Sequence, residues 1–209
     1  MPRPGRFVTI EGAEGAGKST QARLLADALA AAGLTVRTTR EPGGSPGAER
    51  LRGLLLSGDL EWSLPAEVLL HFAARADHVD KTIRPALAAG QWVVCDRFSD
   101  STMVYQGYGL GANRETIAAL TAMLGLAPDL TLVLDVSVET SLARLTARGV
   151  PPDRYERLGR PFFERIRAGF RAVFEAAPQR CMLIDAEGDP AAVAARLRAV
   201  VAERLGVAL

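Results

Sequence analysis

The sequence predicts an α/β fold in which one five-stranded parallel sheet is covered by helices on both faces. Short apolar runs alternate along the chain with helical patterns, and the first run leads into a glycine-rich loop of the form G-x-x-x-x-G-K-[ST]. With 209 residues and 48% hydrophobic composition, residues 1–209 can form one domain with a sizeable core. Right-handed crossovers place the carboxyl ends of all strands at one edge, where a ligand site is expected.

The first strand, Phe7 to Ile10, leads into a loop suited to phosphate. Glycines let backbone N–H groups turn toward phosphate oxygens, and the helical pattern from Gln21 to Ala32 adds the dipole of a helix N-terminus. Lys18 would reach the β- and γ-phosphates of a nucleotide, and Ser19 would ligate Mg²⁺. An unliganded glycine-rich turn is the alternative, which the strand-loop-helix order disfavours. The predicted nucleotide-binding residues here are Gly12, Ala13, Glu14, Gly15, Ala16, Gly17, Lys18, Ser19 and Thr20.

The second strand, Leu34 to Thr39, ends at Arg40-Glu41-Pro42-Gly43-Gly44. Proline and two glycines interrupt both the helical and the strand period, so this stretch is a loop. A charged pair at a strand end favours a binding site, and an exposed turn is the alternative.

Two helices follow, Ala48 to Leu56 and Pro65 to Ala89, the second with a break expected near Pro85. His71, Arg75 and His78 share one face of the second helix, but two histidines seven residues apart do not make a zinc site. Phe72 and Arg75 are neighbours on the helix surface. They could hold a nucleobase by stacking and hydrogen bonding, or they could be a core phenylalanine beside a solvated arginine.

Two further strands end in carboxylates, Gln91 to Asp96 and Leu130 to Asp135. In phosphate-loop proteins an Asp at such a strand end lies across from the loop and holds Mg²⁺, usually through water. Asp96 is favoured, since Arg97 beside it supplies a cation for a phosphate, whereas Asp135 is expected to cap its strand or the next helix.

The rest of the chain continues the alternation of strand and helix patterns. Ser99 to Gly111 contains a polar cluster with several glycines, and a capped turn with a short helix is the alternative, which would account for Ser101 but not easily for the whole set. Residues 149–160, here called the lid, have two prolines, three arginines and no sustained apolar period. A lid beside a phosphate site fits charge stabilisation of a transferring phosphoryl group, and a solvated loop is the alternative. The other predicted elements are the helices Arg114–Leu124, Val138–Arg148, Pro161–Ala177 and Pro190–Leu205 and the strand Arg180–Asp185.

Composition limits the function classes. A formal net charge of +1 gives no general case for binding nucleic acid or a membrane surface. No apolar run is long enough to span a bilayer, and no signal-type segment precedes the first strand. Cys95 and Cys181 lie in apolar runs without C-x-x-C partners, so we expect buried reduced thiols and a cytoplasmic location.

The motifs together resemble those of the bacterial thymidylate kinases. They are I-E-G-A-E-G-A-G-K-S-T, T-R-E-P-G-G, A-E-V-L-L-H-F-A-A-R-A-D-H, D-R-F-S-D-S-T-M-V-Y-Q-G, P-D-L-T-L-V-L-D-V and A-R-G-V-P-P-D-R-Y-E-R, and they span Phe7 to about Leu205. The phosphate loop alone is common to many families, but the ordered set is highly specific. The resemblance implies the P-loop nucleoside monophosphate kinase fold, ATP and dTMP as substrates, Mg²⁺, and a homodimer to which the helix from Pro65 to Ala89 contributes.

The resemblance also implies roles for the acceptor side of the site. Arg75 would hydrogen-bond the thymine carbonyl edge, and Tyr105 would occupy the space of a ribose 2′-OH. Arg97, with Arg52 as a second candidate, would hold the acceptor phosphate. The full implied set of substrate-binding residues is Glu14 (at the sugar 3′-OH), Glu41, Arg52, Phe72 (stacked on thymine), Arg75, Arg97, Thr102, Tyr105 and Gln106.

On the donor side, the resemblance implies that Arg144 flanks the adenine of ATP. Members of this family carry a catalytic arginine either in the phosphate loop or in the lid. Here the loop has Glu14 and Ala16 but no arginine, so the lid must supply it, and Arg154 in D-R-Y-E matches D-R-x-E. The implied catalytic residues are Lys18, Arg97 and Arg154, with Ser19 and Asp96 at the metal.

The expected reaction is transfer of the γ-phosphoryl group of Mg-ATP to the 5′-phosphate of dTMP, giving dTDP and ADP. A deoxynucleoside kinase is one alternative, because Glu41 after the second strand could serve as its carboxylate base. A nucleotide-dependent switch is the other. Guanine-type switches need N-K-x-D, which the only asparagine, Asn113, does not fit, and hydrolytic motors usually place Glu where Arg97 follows Asp96.

Overall fold

Five parallel strands form one sheet in the computed structural model, which describes residues 5–57, 60–149, 151 and 153–209. The strands are β1 (Phe7–Gly12), β2 (Val36–Arg40), β3 (Trp92–Asp96), β4 (Leu130–Asp135) and β5 (Cys181–Asp185). Their order is β2-β3-β1-β4-β5, so the chain passes from β1 to the edge strand β2, returns to β3 beside β1, and then adds β4 and β5 on the other side. The predicted five-stranded parallel sheet is confirmed, and the strand order reverses at β1, where such sheets bind ligands.

The register of the strands aligns the polar strand ends. Ile10 of β1 and Arg40 of β2 both lie opposite Asp96 of β3, and Asp135 lies opposite Asp185. Strands β1, β3 and β4 are buried along almost their whole length, as their continuous apolar runs predict. Strand β2 lies at the sheet edge and is more exposed. It begins at Val36 rather than at the predicted Leu34.

Helices cover both faces of the sheet. One buried cluster joins β1 and β4 to α1 and α9 through side chains such as Leu25 and Leu197, and a second packs Phe162 and Phe170 of α8 against β4. A third packs Phe72 of α3 with Phe7 and Phe98. The helices are α1 (Lys18–Ala31), α2 (Pro46–Leu56), α3 (Leu64–His78), α4 (Arg84–Ala88), α5 (Ser99–Thr102), α6 (Arg114–Met123), α7 (Val138–Ala147), α8 (Gly159–Ala176) and α9 (Pro190–Leu205).

The long helix predicted from Pro65 to Ala89 is divided, although not at Pro85. Helix α3 ends at His78, a π-helical segment covers Val79–Ile83, and α4 begins at Arg84. Pro85 therefore lies in the first turn of α4, where its missing N–H is not needed, and the wider π turn precedes it. A second π-helical segment, Met103–Gly109, extends α5 and carries much of the polar cluster predicted between Ser99 and Gly111.

The lid is more ordered than a solvated loop. A 3₁₀ turn covers Glu156–Leu158, and α8 begins at Gly159, two residues before the predicted Pro161. Tyr155 is buried against Phe162, with their rings stacked 6.2 Å apart. Val150 and Pro152 of the predicted lid lie outside the described residues. The lid is thus attached to the second hydrophobic cluster through Tyr155.

Candidate active site

A cavity of about 420 Å³ lies at the carboxyl ends of the strands. The phosphate loop forms one end of it, and α3 with the segment after β3 forms the other. Parts of the lid close its side. The lining side chains are Glu14, Lys18, Ser19, Thr20, Arg40, Glu41, Pro42, Arg52, Leu56, His71, Arg75, Asp96, Arg97, Phe98, Ser101, Thr102, Tyr105, Gln106, Arg148, Asp153 and Tyr155.

The phosphate loop is built for a close backbone approach. Gly15 has φ 74°, and a Cβ added there would lie 2.7 Å from the backbone oxygen of Ser141. Gly17, at the N-cap of α1, has φ 92°, and among the described residues no side chain caps that helix. Lys18 Nζ donates to the backbone oxygen of Ala13 at 2.7 Å, which holds the ammonium along the loop. The first-turn N–H groups are therefore directed to the cavity, as an anion site requires.

Ser19 and Asp96 meet at the mouth of this loop. The Ser19 hydroxyl donates to Asp96 Oδ2 at 2.5 Å, joining the start of α1 to the end of β3. Within the described part of the chain there is no group of three or more His, Cys, Asp or Glu that could hold a metal alone. One hydroxyl and one carboxylate suit Mg²⁺, which keeps several waters and takes its other ligands from phosphates.

Arg97 lies between the two ends of the cavity. It is the one non-glycine residue among those described with a positive φ, 72°, so its backbone is held in a left-handed conformation. Its Nη2 donates to Glu14 Oε1 at 2.6 Å and to the Tyr105 hydroxyl at 3.1 Å. Burial works against the charge on Glu14, but the cations of Arg97 and Lys18 outweigh it and hold the pKa of Glu14 below its ordinary value.

Glu11, near the end of β1, supports this strained turn, a role that was not predicted from the sequence. Its Oε1 accepts from the backbone N–H of Phe98 at 2.7 Å, and its Oε2 accepts from the Ser101 hydroxyl at 2.6 Å. Burial and the nearby carboxylate of Asp100 raise the pKa of Glu11 to about 7, against the opposing effect of these hydrogen bonds. The backbone that follows Arg97 is therefore fixed by one buried carboxyl group.

The far end of the cavity is a buried polar chain ending in Arg75. Glu41 accepts from Arg75 Nε at 2.7 Å through Oε2 and contacts His78 Nδ1 at 3.0 Å through Oε1. Arg75 Nη2 donates to Thr102 Oγ1 at 3.0 Å. Arg75 Nη1 is buried and has no hydrogen-bond partner among the described residues. A buried donor left open in a cavity wall is a site for a ligand acceptor.

Phe72 does not lie in the cavity, which corrects the stacking role expected for it. Its ring is 3% exposed, packs in the third hydrophobic cluster and lies 4.9 Å below the guanidinium of Arg75. His71, four residues before Arg75, lines the cavity instead. The reason is helix geometry. His71, four residues before Arg75, lies on the same face of α3 as Arg75, whereas Phe72 is turned toward the hydrophobic core. Burial, together with the charge of Arg75, lowers the pKa of His71 to about 3, so its imidazole is neutral.

Gln106 and the lid meet at a buried carboxylate that the sequence did not indicate, Glu67 of α3. Glu67 is 1% exposed and accepts from Gln106 Nε2 at 2.8 Å and from the Tyr155 hydroxyl at 2.9 Å. Its other oxygen accepts from Arg154 Nη2 at 2.6 Å. Arg154, the lid arginine matched by D-R-x-E, is thus bound to Glu67 and is not among the residues that line the cavity.

The arginine of this region that lines the cavity is Arg148, which lies at the end of α7 directly before the lid. Both oxygens of Glu156 accept from its Nη2 at 2.8 Å. Burial raises the pKa of Glu14, and the charge of Arg148 adds to the larger effects of Arg97 and Lys18 that lower it. The face shared by Arg144 and Arg148 on the preceding helix was the sequence signal that could have indicated it.

Two predicted arginines remain, one on the donor side of the site and one on the acceptor side. Arg144 lies behind the phosphate loop and donates to the backbone oxygens of Gly15 and Ala186 at 3.3 and 3.2 Å. Arg52 lines the cavity and donates to the backbone oxygen of Pro42 at 2.6 Å.

Asp135 does not cap its strand or the next helix, contrary to expectation. It binds Arg167 at 2.8 Å and Arg171 at 2.5 Å, both on α8, because its strand end faces that helix. Ser137 caps α7 in its place.

Cys95 and Cys181 are buried free thiols, as predicted. Among the helices that the structure describes, none is both long and apolar enough to cross a membrane.

Comparison with known proteins gives one consistent family. A family model described as thymidylate kinase matches residues 10–197. A thymidylate kinase of Gluconobacter oxydans (strain 621H) is 53% identical over 211 residues, covering 99% of this chain and 99% of the relative. One from Caulobacter vibrioides is 51% identical, covering 97% of this chain and 99% of the relative. A crystal structure of thymidylate kinase from Ehrlichia chaffeensis superposes with a TM-score of 0.77 at 33% identity, covering 95% of this chain and 99% of that one.

Proposed function

The chain belongs to the thymidylate kinase family, and from this premise we propose that it transfers the γ-phosphoryl group of Mg-ATP to the 5′-phosphate of dTMP. One observation carries the proposal. A single cavity has a phosphate loop at one end, an open buried arginine donor at the other, and Arg97 between them. A nucleotide donor and a nucleoside monophosphate acceptor can therefore meet with their phosphates at Arg97.

The acceptor would bind with its base at α3. Arg75 Nη1, which lacks a partner among the described residues, would donate to a thymine carbonyl, and Thr102 already holds the neighbouring nitrogen. His71 lines this wall and replaces Phe72 as the candidate for stacking on the base. Tyr105 and Glu14 would contact the deoxyribose, and Arg97 with Arg52 would contact the acceptor phosphate. Glu41 supports the base site indirectly, by orienting Arg75.

The donor would bind with its phosphates on residues 12–20, close to Lys18, and its adenine beside Arg144. Ser19 and Asp96 are close enough to hold one Mg²⁺ between them and the ATP phosphates. When bound, this ion would neutralise charge on the β- and γ-phosphates. The phosphate loop would supply backbone donors and the Lys18 ammonium to the phosphates, and Asp96 would supply a carboxylate to the ion.

The chemistry requires little proton transfer. The acceptor phosphate is already an oxyanion, so catalysis rests on alignment and on neutralising the charge of the transferring group. Lys18 and Arg97 supply two cations. For the third cation we propose Arg148, because it lines the cavity, whereas Arg154 does not line it and is bound to Glu67 at 2.6 Å. Arg154 then serves to hold the lid on α3, and the closed lid limits water and hydrolysis of ATP.

Glu41 also bears on the deoxynucleoside kinase alternative. A kinase that acts on a sugar hydroxyl needs a carboxylate base free to accept the proton. Both oxygens of Glu41 are engaged, one with Arg75 and one with His78, and Glu41 is 5% exposed. This supports an acceptor that already carries a phosphate.

We further propose a cytoplasmic homodimer that uses α3 as part of its contact. Leu69 on this helix is 57% exposed, although the helix is otherwise well packed against α2 and the sheet. Light scattering of the purified protein tests this, and a monomer at micromolar concentration contradicts it.

ADP release against a panel of dTMP, dUMP, dCMP, AMP, GMP and thymidine tests the proposed reaction. We expect dTMP to give the highest kcat/KM and thymidine to give no signal. Release with thymidine but not dTMP would favour the deoxynucleoside kinase. Release of ADP without any acceptor, increased by a protein partner, would favour a switch.

A further inference from the structure

We propose that Glu67 is a positioning residue that sets the orientation of the Gln106 amide and thereby selects an imide base, thymine or uracil, over cytosine. The inference rests on the proposed function and extends it to the hydrogen-bond pattern that the base site reads. Glu67 itself does not line the cavity, so it acts through Gln106.

Three contacts define how Gln106 is held. Its Nε2 is 2.8 Å from Glu67 Oε1 and 3.0 Å from the Tyr155 hydroxyl. The Tyr155 hydroxyl donates to the same Glu67 oxygen at 2.9 Å. Burial raises the pKa of Tyr155 above its ordinary value, so the hydroxyl keeps the proton that it donates. Gln106 is 1% exposed, which leaves its amide little freedom other than to exchange its two ends.

The charge on Glu67 decides which end faces it. A carboxylate paired with the guanidinium of Arg154 at 2.6 Å offers only acceptors, so it binds the nitrogen end of the amide and repels the oxygen end. The carbonyl end of Gln106 is thereby turned away from Glu67 and toward the cavity that Gln106 lines. Reversing the amide would place two acceptors together in a buried site, which is unfavourable.

This orientation matches the edge of an imide base. Thymine and uracil present an N–H donor at N3 beside the carbonyl at C4, whereas cytosine presents an acceptor at N3 beside an amino donor. Arg75 Nη1 supplies an open donor for the carbonyl, and Gln106 supplies an acceptor for the N–H. Cytosine would place donor against donor and acceptor against acceptor. The two residues together read the edge, and Glu67 keeps one of them in the reading orientation.

The test is the substrate preference of Glu67→Gln, measured as kcat/KM for dTMP, dUMP and dCMP. The substituted amide can face Gln106 with either end, so Gln106 can reverse. We expect the dTMP to dCMP ratio of kcat/KM to fall about tenfold or more, since one discriminating hydrogen bond is lost. The dTMP to dUMP ratio should stay constant, because both bases have the same edge. A purely structural role would lower all three values in parallel and overturn the proposal.

Two further variants complete the design. Arg154→Lys changes another partner of Glu67 while keeping its charge and without touching Gln106, and it should leave the dTMP to dCMP ratio unchanged; a fall as large as that of Glu67→Gln would overturn the proposal. If Glu67→Gln does not fold, Glu67→Met decides, because its side chain has a similar length and offers the amide nitrogen of Gln106 no carboxylate acceptor. A lower ratio in that variant supports the proposal, and an unchanged ratio overturns it. A wild-type protein without dTMP activity would instead overturn the proposed function.

Discussion

Arg154 in the lid and Arg148 directly before it give the sharpest prediction for catalysis, since the motif indicates Arg154 and the geometry indicates Arg148. We expect Arg148→Ala to lower kcat about a thousandfold or more, the usual effect of removing an arginine that neutralises the transferring phosphoryl group. This corresponds to about 4 kcal/mol of transition-state stabilisation. The KM for dTMP should change by only a few-fold, since Arg148 does not reach the base end.

The same substitution at Arg154 should act mainly on stability. Its removal leaves the carboxylate of Glu67, which is 2% exposed, without its cation. Leaving a buried charge without its partner usually lowers the free energy of unfolding by about 3–5 kcal/mol. Because Gln106 and Tyr155 still donate to Glu67, we expect a smaller loss of about 2–3 kcal/mol. For a domain of this length that lowers Tm by about 4–12 °C.

The assay compares kcat, KM for dTMP and Tm of both variants with those of the wild type. Arg148→Ala leaves Glu156, whose side chain is 4% exposed, without its cation, so Tm should fall in this variant as well, and kcat is the quantity that distinguishes the two variants. The reasoning is refuted if Arg154→Ala loses a thousandfold in kcat at an unchanged Tm while Arg148→Ala stays within a few-fold of the wild type.

Three more predictions follow from the site. Arg75→Met should raise the KM for dTMP about tenfold or more with little change in the KM for ATP, because the groups that lose a donor lie at the base end of the cavity, away from the phosphate loop; initial rates at varied dTMP and at varied ATP measure this, and equal changes in both constants would contradict it. Asp96→Asn should raise the Mg²⁺ concentration needed for half-maximal rate several-fold, by weakening the proposed metal site, and a Mg²⁺ titration with an unchanged midpoint would exclude this role. Glu11→Gln should change the pH dependence of stability. Folding raises the pKa of Glu11 from 4.5 to about 7, so the stability contributed by its protonated form is complete below pH 4.5 and is lost, by about 3 kcal/mol, as pH rises to 7. The variant should therefore gain on the wild type in free energy of unfolding between pH 5 and 8, and urea titrations that show a constant difference would contradict it.

Features fixed by local sequence were predicted well. The phosphate loop needs only its glycine spacing and the helix after it, and the five strands follow from their apolar runs. Asp96 was singled out because it ends a buried strand, and its contact with Ser19 follows from where that strand lies in the sheet.

Features that depend on helix rotation or on distant partners were not predictable in the same way. A rotation of about 100° separates His71 from Phe72, and it decides which of them lines the cavity and which enters the core. The sequence does not reveal that α8 brings two arginines to Asp135, since that contact spans 32 and 36 residues. Glu67 likewise gains its role only when the lid folds back across 87 residues to meet α3.

The most direct test of phosphoryl transfer to dTMP is to identify the products formed from Mg-ATP and dTMP by the purified protein, using anion-exchange chromatography or ³¹P NMR. We expect dTDP and ADP in equal amounts, both dependent on dTMP, with little free phosphate. ADP accompanied by an equal amount of inorganic phosphate, with dTMP unchanged, would contradict it.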